Sequence, residues 1–174
     1  MRFTKMHGLG NDYVFVDCFK VRIRNPAELA SVVSDRHRGV GSDGVILICP
    51  SRKADAAMRV FNADGSEAEM CGNGIRCVAK YVHEHRPAET GQPLKHSPGM
   101  PPCQASVEIE TAGGILTAGL ILDRANRVDK VRVNMGTPIL KPSLIPVGLP
   151  GERAVGVPLQ IFRKTLKMTC VSMG

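Results

Sequence analysis

Tryptophan is absent from the 174-residue chain, and aromatic residues make up only 4% of it. Base stacking, the usual grip on single-stranded nucleic acid, needs aromatic platforms, and few are present. No run approaches the ~18 consecutive apolar residues of a membrane-spanning helix. Met1-Arg2-Phe3-Thr4-Lys5 opens no apolar signal core, so export is not expected. The cysteines, at positions 18, 49, 71, 77, 103 and 170, follow no zinc-binding spacing. His83 and His85 would diverge on a helix, so no metal is expected. Without an export signal, reduced thiols in the cytoplasm are the expectation.

What is present fits a globular protein. The chain is 43% hydrophobic and 22% charged, enough for one cored domain, or one domain and part of another. A formal charge of +7 raises the question of nucleic acid. The basic residues are spread along the chain without a block, which favours a basic surface with no nucleic-acid or membrane partner.

The most informative stretch is Asn62 to Cys77, between a strand-like run (Ala57 to Phe61) and a helix-like one (Ile75 to His83). Asp64-Gly65 marks a turn. Ile75, Val78, Ala79 and Val82 repeat at helical spacing, which sets Cys71 at the helix's N-terminal mouth beside Gly72 and Gly74. Unpaired N–H groups and the dipole there favour an anion and a reactive thiol. Cys71 also fits a small buried hydrophobe, and the local pattern leaves both readings open. Cys77 reads as packing, and Cys71 is expected to alkylate faster than Cys18, Cys49 or Cys77.

Elsewhere, Arg2 to His7 and Tyr13 to Phe19 read as strands around a Gly8–Asp12 loop, in which Asn11 is a turn former or an exposed amide. Asn25-Pro26-Ala27-Glu28 starts a helix with Leu29, Val32 and Val33 facing inward and Gly39 ending it. Gly39-Val40-Gly41-Ser42-Asp43-Gly44 has dinucleotide-fingerprint spacing but runs from helix to strand, the wrong order for a nucleotide site. It reads as a turn that could still line a pocket. Residues 86–102 read as an exposed loop, Gly113-Gly114 as a hairpin turn, residues 138–158 as a proline-rich crossing, and residues 161–173 as a closing strand.

Four ordered motifs carry a family resemblance. They are Lys5-Met6-His7-Gly8-Leu9-Gly10-Asn11-Asp12, Phe61-Asn62-Ala63-Asp64-Gly65-Ser66, Cys71-Gly72-Asn73-Gly74 with Arg76-Cys77, and Val133-Asn134-Met135-Gly136 with Pro138. Together they resemble the diaminopimelate epimerase family across essentially the whole chain. The resemblance implies an α+β fold, each half a curved, mostly antiparallel sheet wrapped round a central helix. It implies cofactor-independent interconversion of LL- and meso-diaminopimelate, a step of lysine biosynthesis, by two cysteines facing the α-carbon from opposite sides. By the same resemblance, Cys71 is one of the two thiols, and Asn11, Asn62, Gly72, Asn73 and Gly74 bind substrate. Homodimerisation is expected of the full-length protein.

The family's second Cys-Gly helix start has no counterpart here, and Cys170 lacks the glycines to replace it. Residues 1–136 are therefore expected to be one half-domain, and residues 137–174 a linker with an incomplete start of the second. Alone, the chain is expected to be inactive, with proteases cutting first at residues 86–102 and 138–167. The alternative is a non-catalytic domain binding an anion or nucleic acid through its basic surface.

Overall fold

The computed structural model describes residues 1–85 and 105–173. The expected exposed loop at 86–102 lies outside the described residues. The described chain forms two compact units, Met1–Asn134 and Met135–Gly174.

The first unit begins with a hairpin, β1 (Thr4–Gly8) and β2 (Asn11–Asp17), tighter than the sequence suggested. Leu9 (φ 55°) and Gly10 (φ 86°) make its two-residue turn, both left-handed, which suits the right-handed twist of paired strands. Asn11 and Asp12 are thus strand residues, and Asn11 pairs with Gly8.

Helix α1 (Pro26–Ser34) starts as expected, with Asn25 Oδ1 accepting from the Glu28 N–H at 3.4 Å and Pro26 in the first turn. Two expectations fail. The helix ends at Ser34, with Asp35 extended, rather than at Gly39. The N–H groups of Val40 and Gly41 fold back onto the Val33 carbonyl, and that of Ser42 onto Ser34, satisfying the helix's last carbonyls. Val32 is 63% exposed, because the inward stripe runs through Ala27, Ala30 and Val33.

Strands β3 (Gly44–Cys49), β4 (Ala56–Asn62) and the short β5 (Glu67–Ala68) follow, then α2 (Gly72–His85). Beyond it come β6 (Ala105–Thr111), β7 (Gly114–Leu122) and β8 (Val128–Val133). The sheet order is β1-β2-β3-β4-β6-β7-β8, with β5 on β4. Only β2/β3 and β4/β6 are parallel, so the sheet is mostly antiparallel. It curves about α2, whose Ile75, Val78, Ala79 and Val82 pack on Phe15, Ile46, Val60, Val107, Ile109 and Leu120. Each large apolar side chain buried on that stripe contributes about 1.5–3 kcal/mol. Helix α1 covers the opposite face through Val14, Val16, Val45, Leu47 and Phe61. Strands β2 and β3 are therefore apolar on both sides, which is why Tyr13-Val14-Phe15-Val16 and Val45-Ile46-Leu47-Ile48 do not alternate.

The second unit has little core: a 3-10 turn at Pro142–Leu144, a bridge between Ile139 and Ser172, and buried Pro142, Ile145 and Ala154. The expected single closing strand is instead a hairpin, β9 (Val157–Ile161) and β10 (Lys164–Met168), turning at Phe162 with φ 52°. Cys170 lies beyond β10 and not within a strand. No helix among the described residues is long and apolar enough to cross a membrane.

Candidate active site

Strand register gathers the candidate residues at one end of the sheet. Gly8 pairs with Asn11, Tyr13 with Gly44, and Gly44 with Asn62. The N-terminus of α2 meets the same end because two glycines let it come close. A Cβ on Gly8 would lie 3.0 Å from the Asn73 carbonyl oxygen, and one on Gly74 would lie 2.4 Å from Ile46 Cδ1. At both positions the absent side chain is what seats the helix against the sheet.

Cys71 caps α2, its carbonyl accepting from the Ile75 N–H at 2.9 Å. Its half-buried sulfur accepts from the Gly74 N–H at 3.3 Å and donates to Asn11 Oδ1 at 3.5 Å. Sγ thus holds one donor suited to a thiolate and one acceptor suited to a thiol. Both protonation states find a partner without rebuilding the site, as a group that takes and returns a proton requires. The Gly72 and Asn73 N–H groups precede Gly74 in the same first turn, where intrahelical acceptors are lacking.

A charged network sets which way Asn11 faces. Its Nδ2 donates to Asp43 Oδ2 at 2.6 Å, so Oδ1 turns toward Cys71 and also accepts from Asn73 Nδ2 at 3.4 Å. Arg76 Nη2 donates to Asn73 Oδ1 at 2.5 Å, fixing that amide as well. Asp43 Oδ2 also accepts the Asp12 N–H at 3.0 Å, and its other oxygen accepts from Arg36 Nη2 at 2.9 Å. Arg36 forks onto Asp12 at 2.7 and 3.3 Å, and Lys5 pairs with Asp12 at 3.1 Å. The Arg36 hydrogen bond, helped by Lys5 and opposed by partial burial, holds the Asp12 carboxyl down at about 2.

Tyr13 is 6% exposed, and its hydroxyl interacts with both Cys71 and Asn11. Burial, then the neighbouring Cys71, push that hydroxyl up to about 12, against a smaller opposite pull from Asn11. It stays protonated at neutral pH, a second donor beside the sulfur. Sequence reasoning missed Tyr13, Asp43 and Arg36. Period-two alternation, which puts Tyr13 on the face of Asn11, was the available signal for the first. Asp43 and Arg36 reach the site only through tertiary contact.

Of the residues read from sequence, Cys71, Asn11 and Asn73 are joined by hydrogen bonds, and Gly72 and Gly74 form the first turn beside them. Asn62 reaches the same sheet end, but its amide donates to Ser66 Oγ at 3.0 Å. Among the described residues no group of three or more His, Cys, Asp or Glu side chains is placed to hold a metal.

The curved sheet wrapped on α2 is a fold shared with solved racemase and epimerase structures. The chain resembles the crystal structure of a probable proline racemase from Agrobacterium radiobacter K84, with a TM-score of 0.57 at 19% identity, over 97% of this chain and 48% of that one. A likeness at that identity defines the fold alone. The chain belongs to the diaminopimelate epimerase family, whose sequence profile matches residues 3–141. It is 50% identical over its whole length to the diaminopimelate epimerase of Acetivibrio thermocellus and 48% identical to that of Agathobacter rectalis. It spans 57% and 58% of the lengths of those relatives.

Proposed function

We propose that the full-length protein interconverts LL- and meso-diaminopimelate by removing and returning the α-proton, without a cofactor, with Cys71 as one of the two acid/base thiols. The observation that carries this reading is the paired hydrogen bonding of Cys71 Sγ, donor on one side and acceptor on the other, at a helix mouth. An α-proton beside a carboxylate is weakly acidic, so the developing negative charge needs fixed donors. The first-turn N–H groups of Gly72 and Asn73 and the amides of Asn73 and Asn11 are the donors and acceptors for the substrate's carboxylate and amine. Asn62 would join them on turning from Ser66.

Inversion needs a second proton donor on the opposite face of the α-carbon. Among the described residues the only other α-helix, α1, begins at Asn25-Pro26 with no cysteine at its mouth. We therefore read residues 1–136 as one catalytic half and residues 137–174 as a linker with the start of the other, so that the 174-residue chain alone does not epimerise. We further propose that it acts in the cytoplasm, in the lysine pathway, and as a homodimer when full length. Incubation of full-length protein with LL-diaminopimelate in deuterated water tests the activity. Deuterium at the inverted α-carbon is expected, and a folded enzyme that incorporates none refutes the reading and favours a binding role for the basic surface.

A further inference from the structure

A second thiol site lies away from the first. Strands β2 and β3 run parallel with Asp17 opposite Ile48, and the Cys18 N–H continues the ladder onto the Ile48 carbonyl at 2.8 Å. That register puts Cys18 beside Cys49. Adjacent strands lie about 4.8 Å apart, inside the Cα separation that a disulfide spans. Both side chains pack at the margin of the α1-side core, with Val16 and Leu47, and both are half-buried. They line a cleft of about 650 Å³ together with Arg22, Arg24 and Arg59. Cys71, by contrast, packs on the α2 face at the other end of these strands.

We propose that Cys18 and Cys49 are a dithiol site that takes a small anionic disulfide in this arginine-lined cleft and closes to an intramolecular Cys18–Cys49 disulfide. The inference is independent of the reading of Cys71. The two thiols are unequal. The neighbouring Cys18 thiol, with help from Arg59 and against burial, draws Cys49 down. The neighbouring Cys49 and burial push Cys18 up. Cys49 is therefore the attacking thiolate and Cys18 the resolving thiol.

In the first step Cys49 S⁻ attacks one sulfur of R–S–S–R, the S–S bond breaks, R–S⁻ leaves and a mixed disulfide forms on Cys49. Cys18 then loses its proton, attacks the Cys49 sulfur and expels the second R–S⁻. The two thiol protons end on two R–SH. The protein dithiol is oxidised by two electrons and the small disulfide is reduced by two. Arg59 is held by the Glu67 carboxylate at 2.7 and 2.9 Å, so Arg22 and Arg24 supply the preference for an anion, since a basic cleft raises the local concentration of negatively charged reagents.

The native 174-residue chain treated with dithiobis(nitrobenzoate), a dianionic disulfide, tests the proposal. Each thiol falls on its own tryptic peptide: Cys18 on Met6–Lys20, Cys49 on Gly39–Arg52 and Cys71 on Val60–Arg76. The expected product is Met6–Lys20 joined to Gly39–Arg52, formed with release of two thionitrobenzoates per pair. Because the two reagents differ in leaving group, the charge preference is read from salt: joined-peptide formation with the dianion should slow at least about twofold as salt rises, whereas formation with cationic cystamine should not slow. In Cys18→Ser the reagent should remain on Cys49 as a mixed disulfide, since nothing resolves it. A stable mixed disulfide on Cys49 of the native chain overturns the proposal. So does a joined peptide that forms no faster than in urea, or one whose rate responds to salt no differently from the cystamine reaction. If Cys18→Ser does not fold, the native peptide map decides alone.

Discussion

Cys71 and the Cys18–Cys49 pair sit at opposite ends of β2 and β3 and on opposite faces of the sheet. They show two ways to surround a thiol with polar partners. At Cys71 the main chain does much of it, because the Gly74 N–H points at the sulfur wherever a helix begins there. Side chains refine that site: Asn11 bonds the sulfur, Tyr13 lies near it, and Asp43 holds Asn11. At the pair the asymmetry comes from the effect of each thiol on the other, with Arg59 nearby. A site built on backbone withstands most substitutions except at its glycines, whereas a site built on side chains is lost with any one of them.

The largest expected effect separates the two sites by function. Cys71→Ala in the full-length protein should lower α-deuterium exchange on the order of 1,000-fold, the scale of losing a positioned acid/base. Cys49→Ser should leave exchange within about twofold of the parent. Near-parental exchange in Cys71→Ala, followed by NMR, would remove Cys71 from the chemistry.

The glycines give the next largest effect. A Cβ on Gly44 would stand 2.1 Å from the Phe61 carbonyl oxygen, whereas one on Gly113 would meet only Thr111 Oγ1 at 3.8 Å. Gly44→Ala should destabilise the chain by about 3 kcal/mol, and Gly113→Ala by less than about 0.5 kcal/mol. Urea midpoints measure both, and equal midpoints would show that the Cys71 end is not closely packed.

Asp43→Ala removes the anchor of Asn11 along with bonds to Arg36 and the Asp12 N–H. Charge-assisted bonds of this kind suggest a loss of about 2 kcal/mol. The readout that tests positioning is thiol chemistry: alkylation of Cys71 should change severalfold while that of Cys49 stays put. Parallel changes at both would mean a general loosening instead.

Among the unmodified thiols, burial pushes Cys77 up, and its side chain is 7% exposed. Iodoacetamide should therefore label Cys71 about tenfold faster than Cys77 near neutral pH, a ratio read by peptide mass spectrometry. Equal labelling of the two would argue against a helix-mouth advantage.

The smallest effect is acid sensitivity at the Cys71 end. Asp12 is held at about 2, below its ordinary value of 3.8, chiefly by Arg36. A carboxyl depressed by folding stabilises the native state above its unfolded pKa, and that stability disappears as pH falls through the folded value. The loss should be about 1 kcal/mol between roughly pH 4 and pH 2, discounted because Arg36 is largely exposed. Arg36→Ala should flatten this limb of the stability curve, and an unchanged limb would assign the acid sensitivity elsewhere.

Local pattern made much of this architecture legible. The Ile75, Val78, Ala79, Val82 stripe defines a helix face at any position in a fold, so Cys71 at its mouth follows from counting. The paired glycines before Ile115 and the Asn25-Pro26 helix start are equally local signals. The C-terminal hairpin escaped because Phe162 adopts φ 52° with no glycine to announce the turn. Asn11 reads as a loop residue from sequence for a related reason, since Leu9 takes φ 55° and lets β2 begin two residues earlier than Tyr13.

What the sequence determined by itself is therefore the apolar spacing of α2, the thiol at its mouth and the motifs that mark the family. These depend on neighbours within a few residues, whose geometry the backbone repeats everywhere. The tertiary structure decided which side chains meet: Asp43 with Asn11, Tyr13 with Cys71, and Cys18 with Cys49. Each of those meetings rests on parallel pairing of β2 with β3 across the α1 crossover or on the docking of α2 at Gly8 and Gly74. A parallel register joins residues some thirty positions apart (Cys18 to Cys49), and it is set by burial on both faces at once rather than by any turn between them.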